Sequence, residues 1–154
     1  MDIAIAWNAA TQSGDWSVTG GDLTHDEGLR SAIMVSLLTD RRAEDDDALP
    51  DPRETDRRGW WGDLPLEGEP PEDRIGSRLW LLARSKATTD TLRQAQQYAR
   101  EALAWMTTDG LADTVDATAE WQGTRGEILA FAITITRGTT TTRFDLLWTR
   151  ELAR

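Results

Sequence analysis

The sequence has 154 residues, a length that favours one domain able to bury a core without disulfides or metals. Its 27 acidic residues against 17 basic ones give a net charge of −10, which disfavours nucleic acids and anionic membranes as partners. Because there is no cysteine, disulfides and thiolate chemistry are excluded. We see neither a membrane span nor a signal peptide, and expect a protein made in a reducing cytoplasm.

The N-terminus alternates in hydrophobicity. Ile3, Ile5 and Trp7 share one face of an extended chain, which predicts a strand. Trp16 and Val18, after a stretch of small polar residues, are expected to supply the partner strand of a hairpin. The first part of the chain is therefore predicted to be a β-hairpin.

A helix is predicted next. Thr24-His25-Asp26-Glu27 has the Thr-x-x-Glu form of a capping box, in which two side chains satisfy the free amides of a helix start. Residues at helical spacing then form an apolar stripe: Leu29, Ile33, Met34, Leu37 and Leu38. We expect this helix to end at about Thr39.

From residue 40 to about residue 74 the periodicity disappears. All five prolines lie between Pro50 and Pro71, beside the acidic run Glu44-Asp45-Asp46-Asp47. Such a long loop within a domain is commonly either disordered or functional. Because disordered segments are poor in aromatic residues, Trp60 and Trp61 predict a loop that is ordered at least in part.

Two further helices follow the loop. Ser77 is placed to cap a short helix over residues 78–84, and Thr88 or Thr89 is placed to cap a longer one. The longer helix carries an apolar stripe at helical spacing, formed by Leu92, Ala95, Ala99, Leu103 and Met106. Gly110 is expected to end it in a left-handed cap.

The last third of the chain changes to a period of two. Apolar residues alternate over residues 115–121, 129–135 and 144–148, with turns at residues 122–126 and near Gly138. Three consecutive strands joined by short turns predict an antiparallel meander whose apolar face is covered by the helices. The predicted fold class is α+β, with residues 1–154 as a single domain.

Catalytic chemistry finds little support in the sequence. The lone histidine, His25, lies in the capping sequence, and neither a Gly-x-Ser-x-Gly elbow nor a glycine-rich phosphate loop is present. We therefore expect no catalytic residue, cofactor or metal site. One alternative stays open: Glu54, Asp56 or Asp63 beside Trp60 and Trp61 is reminiscent of a glycan hydrolase or a glycan-binding site.

The segment Arg-Arg-Gly-Trp-Trp-Gly-Asp at residues 57–63 is the main candidate for a contact surface. The chain has eight tryptophans, and tryptophan and arginine are typical of binding hot spots. Either the indoles fold back on the core while the arginines pair with nearby aspartates, or both are presented to a partner. We expect one indole to pin the loop and the other to meet a partner. The predicted interface comprises Arg41, Arg42, Arg57, Arg58, Trp60, Trp61, Asp63, Arg78 and Trp80.

The same residues carry a resemblance to a known family. The order is Thr39-Asp40-Arg41-Arg42-Ala43, an acidic loop, Arg58-Gly59-Trp60-Trp61-Gly62-Asp63, and then Gly76-Ser77-Arg78-Leu79-Trp80 before an alanine-rich helix. This pattern resembles the Mu-type phage tail proteins, small baseplate proteins of contractile-tailed phages. That family is similar to the wedge and sheath-initiator proteins of larger contractile tails, some of which are labelled lysozyme-like. Their Glu-Pro-Arg signature is absent here.

The resemblance implies a structural role without enzymatic activity. It implies a wedge component of phage or prophage origin that is present in the host cytoplasm before assembly and in the virion tail baseplate afterwards. Its expected partners are other baseplate wedge proteins and the tail sheath, with the tail tube as a further candidate. A sheet edge that nucleates sheath assembly is expected at Ile128–Arg137 or at residues 143–149, since unpaired strands can template another chain.

Overall fold

The computed structural model describes residues 2–8, 10–11, 13–23, 25–26, 29–63 and 74–149. The chain begins with six short strands, which pair two at a time as β1 with β6, β2 with β3 and β4 with β5. These strands are β1 (Asp2–Ile3), β2 (Ile5–Asn8), β3 (Ser13–Trp16), β4 (Val18–Thr19), β5 (Asp22–Leu23) and β6 (His25–Asp26). We call residues 2–26 the N-terminal ribbon.

The ribbon confirms the predicted hairpin, with two changes. Ile5 lies opposite Trp16 in the β2–β3 ladder, as the alternation indicated. Val18 does not continue that strand, because it pairs with Leu23 in a second small hairpin. The single predicted strand over Ile3, Ile5 and Trp7 is likewise divided at Ala4 into β1 and β2.

The first helix, α1 (Arg30–Leu38), starts later than predicted. Its N-cap is Leu29, which makes no side-chain capping hydrogen bond. The capping-box prediction was wrong because His25–Asp26 pairs with β1 as a strand; Thr24 and Glu27 lie outside the described residues. The predicted end was correct, since Thr39 caps the helix and its amide donates to the carbonyl of Val35.

The longer helix is divided into α2 (Thr89–Leu103) and α3 (Trp105–Thr108). Thr88 caps α2, because its hydroxyl accepts the amide of Thr91 at 3.2 Å. Gly110, at φ 72°, ends α3 as predicted. The amide of Leu111 donates to the carbonyl of Met106, which completes a Schellman-type C-terminus.

The predicted short helix after Ser77 is a 3₁₀ turn, Leu79–Leu82, whose four residues are all buried. The Ser77 hydroxyl donates to the Leu37 carbonyl at 2.6 Å and accepts the Leu79 amide at 3.3 Å. Ser77 therefore joins the end of α1 to the start of the turn.

The C-terminal sheet confirms the predicted meander and the α+β class. It consists of β7 (Thr114–Gln122), β8 (Ile128–Arg137) and β9 (Thr140–Thr149) in the order β7-β8-β9, all antiparallel. One face of β8 is buried at every second residue, and helix α2 packs against β7. The core lies between this face and the helices; its largest fully buried side chains are Phe131, Ile33, Leu37, Leu79, Leu103, Met106, Leu129 and Ile133.

In the described part of the chain, no helix is long and apolar enough to cross a membrane.

Candidate contact surfaces

The loop that follows α1 is fastened to the body at its first residues. The Arg41 amide donates to the Ser77 carbonyl at 3.0 Å, and the Ser77 amide donates to the Thr39 carbonyl at 2.9 Å. Gly76, at φ 97°, lies against this junction, where a β-carbon would clash with the Thr39 carbonyl oxygen. Further along, the Ala43 amide donates to the Arg57 carbonyl at 2.9 Å, so the loop folds back on its own start.

Arg57 organises the acidic run from inside the loop. Its guanidinium donates to the backbone carbonyls of Glu44, Asp45 and Asp47, the last two at 3.0 and 3.5 Å. The Glu44 amide in turn donates to the Asp47 carboxylate at 2.9 Å, which closes the turn. The acidic run is therefore wrapped around an arginine. Arg57 thus holds the loop together, and its contact with a partner stays a prediction.

A network of charged side chains ties the loop to α2. Arg78 contacts Asp47 at 2.9 Å and Glu101 at 2.8 Å, and its side chain is only 15% exposed. Glu101 also contacts Arg41 at 3.2 Å. The Arg78 guanidinium stacks on the Tyr98 ring, 4.7 Å from its centroid. We call Arg41, Asp47, Arg78 and Glu101 the ion network.

Burial and charge oppose each other at Arg78. Burial acts to lower the pKa of its guanidinium, but hydrogen bonds and charge attraction from Glu101 and Asp47 outweigh it. The pKa is therefore raised above its usual range, and Arg78 is charged at every accessible pH. Asp47 and Glu101 were not predicted from the sequence as members of a site. The spacing of three between Tyr98 and Glu101 was the available signal, because it places both on one side of a helix.

The indole of Trp80 packs against the guanidinium of Arg58. The indole is 3% exposed, and its Nε1–H donates to the Arg41 carbonyl at 2.8 Å. The Arg58 guanidinium lies 4.4 Å from the centroid of this ring and pairs with Asp40 at 2.8 Å. The Asp56 carboxylate accepts the Arg58 amide at 2.8 Å. Trp80 is thus buried in this structure, and its ring supports the loop and does not face solvent.

Trp60 and Trp61 are both on the surface, with 45% and 78% of their area exposed. Their ring centroids are 5.3 Å apart and their planes are inclined by 49°. Trp60 covers Gly62, where any β-carbon would clash with the indole. We had expected one of the two indoles to hold the loop against the core. That expectation was wrong, because both indoles are exposed and the loop is held by Arg57 and by the stacking of Arg58 on Trp80.

Glycine and aspartate fix the position of the two indoles. Gly59, at φ 102°, brings the chain against Arg42; a β-carbon there would lie 2.7 Å from the Arg42 β-carbon. After Trp60, the chain makes a 3₁₀ turn whose last residue, Asp63, accepts the Ile75 amide at 3.2 Å. We call Arg42, Arg58, Trp60 and Trp61 the tryptophan surface. Of the predicted interface residues, these four are more than a third exposed.

Two carboxylates of the glycan alternative have roles within the loop. Asp56 and Asp63 accept backbone amides and so shape the loop. A groove of about 950 Å³ among the described residues is lined by residues such as Ile3, Val35 and Trp105, and not by Trp60 or Trp61. No group of His, Cys, Asp or Glu in the described residues is arranged to hold a metal ion. The arrangement favours a contact surface over a glycan cleft.

The C-terminal sheet has two edge strands, β7 and β9. Ile128–Arg137, which we had expected as an edge, is the central strand β8, paired on both sides. Helix α2 flanks β7, where Gln96 donates to the Ala119 carbonyl at 3.3 Å and Arg100 pairs with Asp116 at 3.0 Å. Strand β9 pairs with β8, and no other strand of the described residues lies beside it. Within the described residues, the outer edge of β9 is therefore less covered than that of β7.

Comparison with known proteins gives consistent matches. The family described as phage protein GP46 matches residues 29–142. The chain is 48% identical over 120 residues to the baseplate protein gp46 of Escherichia phage Mu, covering 77% of each chain. It is 36% identical over 118 residues to the Mu-like prophage FluMu protein gp46 of Haemophilus influenzae, covering 77% of this chain and 75% of that protein.

Proposed function

This chain belongs to the phage protein GP46 family, and from that premise we propose that it is a non-enzymatic structural subunit of a contractile phage tail baseplate. The name of the phage Mu relative, a baseplate protein, supports the assignment. The structural observation that carries it is the exposed Trp60–Trp61 pair on a loop that is fixed from within. The subunit would form in the host cytoplasm and then enter the virion tail.

The tryptophan surface has the properties of a protein-docking site. Its two indoles are exposed, although the loop beneath them is held by Arg57 and by the Arg58–Trp80 stack. A surface that is already ordered loses little conformational entropy when it binds. Replacing a well-packed tryptophan at an interface typically weakens binding by about 2–4 kcal/mol. We infer that this surface docks the subunit to neighbouring wedge proteins.

The open edge of β9 suits the second expected contact, with the tail sheath. Strand β9 is ten residues long, and no other strand of the described residues lies along its outer side. An extended segment of another chain can add to such an edge by backbone hydrogen bonds alone. We propose that a strand of a sheath subunit adds to β9 and that this addition begins sheath assembly. The tail tube is a further candidate neighbour.

Trp60→Ala combined with Trp61→Ala tests the docking site. In a phage or prophage whose own copy of the gene is deleted, the variant supplied in trans should fold but be strongly depleted in purified tails. Leu111→Ala is the matched control, since Leu111 is also an exposed apolar residue but lies outside the tryptophan surface. Normal incorporation of the double variant, measured by mass spectrometry of purified tails, would refute docking through the indoles.

Two prolines test strand addition at β9. Thr142 and Arg143 are consecutive, exposed residues of this strand, so one amide faces β8 and the other faces the open edge. Proline removes the amide in either case. The two single variants are Thr142→Pro and Arg143→Pro. The one that removes the amide facing the open edge should keep the wild-type melting temperature, and we expect that variant to block sheath formation in electron micrographs. Full-length sheath with that variant would show that strand addition is wrong while leaving the baseplate assignment intact.

A further inference from the structure

The N-terminal ribbon is a second surface that the body of the protein leaves uncovered. Trp16 is 66% exposed, Val18 is 63% exposed and Ile3 is 45% exposed. All four residues of β3 are exposed. Ladders of only two strands are marginally stable in water when no apolar face is covered. The ribbon thus combines weak internal pairing with large exposed apolar side chains.

The root of the ribbon is nevertheless fixed to the body. The Ile5 amide donates to the Ser31 hydroxyl at 3.0 Å, and that hydroxyl donates to the Ile3 carbonyl at 3.2 Å. Ser31 is a buried residue of α1, and Trp7 packs partly against the core. Because Trp16 lies opposite Ile5, its indole is held close to this anchored root. The ribbon therefore presents its apolar side chains at a defined place.

Charge distinguishes the ribbon from the rest of the chain. Four of the 27 acidic residues lie in the ribbon, and none of the 17 basic residues does. The ribbon consequently carries −4 of the net charge of −10 with His25 neutral. Among the described side chains, Asp15 and Asp22 are exposed beside the exposed apolar residues. The surface is both acidic and apolar.

We propose that the N-terminal ribbon is a docking arm for a basic, apolar groove on a different protein of the baseplate; the proposal rests on the proposed function. Trp16 and Val18 would fill the groove, and the aspartates would pair with its lysines and arginines. A second copy of this chain is disfavoured as the partner, because it carries the same acidic ribbon and an overall net charge of −10.

Photo-crosslinking from inside the complete virion tests the partner. A benzophenone amino acid replaces Trp16, and in a second variant it replaces Val18. The same amino acid at Leu111 is the control, because Leu111 is 42% exposed but lies outside the ribbon. We expect both ribbon positions, and not the control, to react with one protein of different sequence, at a segment rich in lysine and arginine.

The outcomes separate this proposal from the proposed function. Detection of the unmodified protein in purified virions tests the baseplate assignment by itself, and its absence would overturn both. If the protein is present, the docking arm is overturned by adducts to a second copy, by adducts to a neutral or acidic segment, or by the absence of adducts from both ribbon positions.

Charge reversal gives an independent test of the same arm. Asp15→Lys with Asp22→Lys should lower the amount of subunit incorporated into tails at least about tenfold, since like charges would then face each other. Asp46→Lys with Asp109→Lys makes the same change in net charge at two exposed residues outside the ribbon. Equal incorporation of the two double variants, at unchanged melting temperatures, would overturn the proposal.

Discussion

The ion network makes a quantitative prediction for Glu101→Gln. One carboxylate serves two arginines, Arg41 at 3.2 Å and Arg78 at 2.8 Å, whose side chains are 20% and 15% exposed. Glutamine has nearly the same shape, but its amide nitrogen cannot accept a hydrogen bond and would face one of the guanidinium groups. One arginine therefore loses its partner while it stays largely shielded from water.

The expected magnitude follows from this partial burial. Exposed ion pairs contribute about 0–1 kcal/mol, whereas removing one partner of a buried pair destabilises by about 3–5 kcal/mol. Glu101 is 30% exposed and its partners less so, which places the expected loss at about 1–3 kcal/mol. For a chain of this size, each kcal/mol shifts the melting temperature by about 2–4 °C, so we expect a decrease of about 3–10 °C.

Thermal unfolding followed by circular dichroism measures this shift. Asp145→Asn is the matched control, because Asp145 pairs with Arg143 at 2.9 Å but both side chains are more than 60% exposed. We expect the control to change stability by less than about 0.5 kcal/mol. Trypsin should also cut the loop at Arg53 faster in Glu101→Gln than in the wild type, since the loop loses part of its attachment. Equal melting temperatures for the two variants would refute the stabilising role of the network.

Two further predictions concern the backbone and the pH dependence. Gly76→Ala should destabilise the protein by more than about 2 kcal/mol, because the φ is positive and the methyl group would meet the Thr39 carbonyl. Gly138 is also at positive φ but in open space, so Gly138→Ala should lower the free energy of unfolding by only about 1 kcal/mol. Chemical denaturation compares the two variants. Burial raises the pKa of Tyr98, the only tyrosine, so ultraviolet titration should show ionisation above pH 10. The unfolded tyrosine loses its proton at lower pH than the folded one, so the free energy of unfolding should fall as the pH rises above about 10. Titration of Tyr98 at or below pH 10 would show that burial does not raise its pKa.

Elements with a strong local pattern were predictable from the sequence. The stripe from Leu92 to Met106 identified the long helix, and the period of two identified all three C-terminal strands. The prediction that β8 forms a sheet edge could have been avoided, because the middle strand of a three-stranded meander has neighbours on both sides. The sequence pattern therefore held enough information to exclude β8 as an edge strand, but the choice between β7 and β9 depends on where α2 packs.

Other features depend on contacts between residues far apart in the chain. Thr24-x-x-Glu27 satisfies the local rule for a capping box, but the pairing of β6 with β1 determines the backbone of His25–Asp26. The adjacent indoles of Trp60 and Trp61 gave no sign of which tryptophan is buried, and the buried one is Trp80. Composition showed a group of arginines, but only the fold shows which of them are bound internally.

That internal binding separates the two proposed surfaces by their dependence on salt. Arg57 is bound to backbone carbonyls and Arg58 to Asp40, which leaves Arg42 beside the two indoles, so contact at the tryptophan surface should change less with ionic strength than contact at the ribbon. The ribbon contains acidic residues and no lysine or arginine, so its contact should weaken steeply as salt screens the attraction. The residual Trp60→Ala, Trp61→Ala subunit in tails would then depend more on the ribbon, and it should be released at lower salt than the wild type. The reverse order would mean that the charged contact is not made by the ribbon.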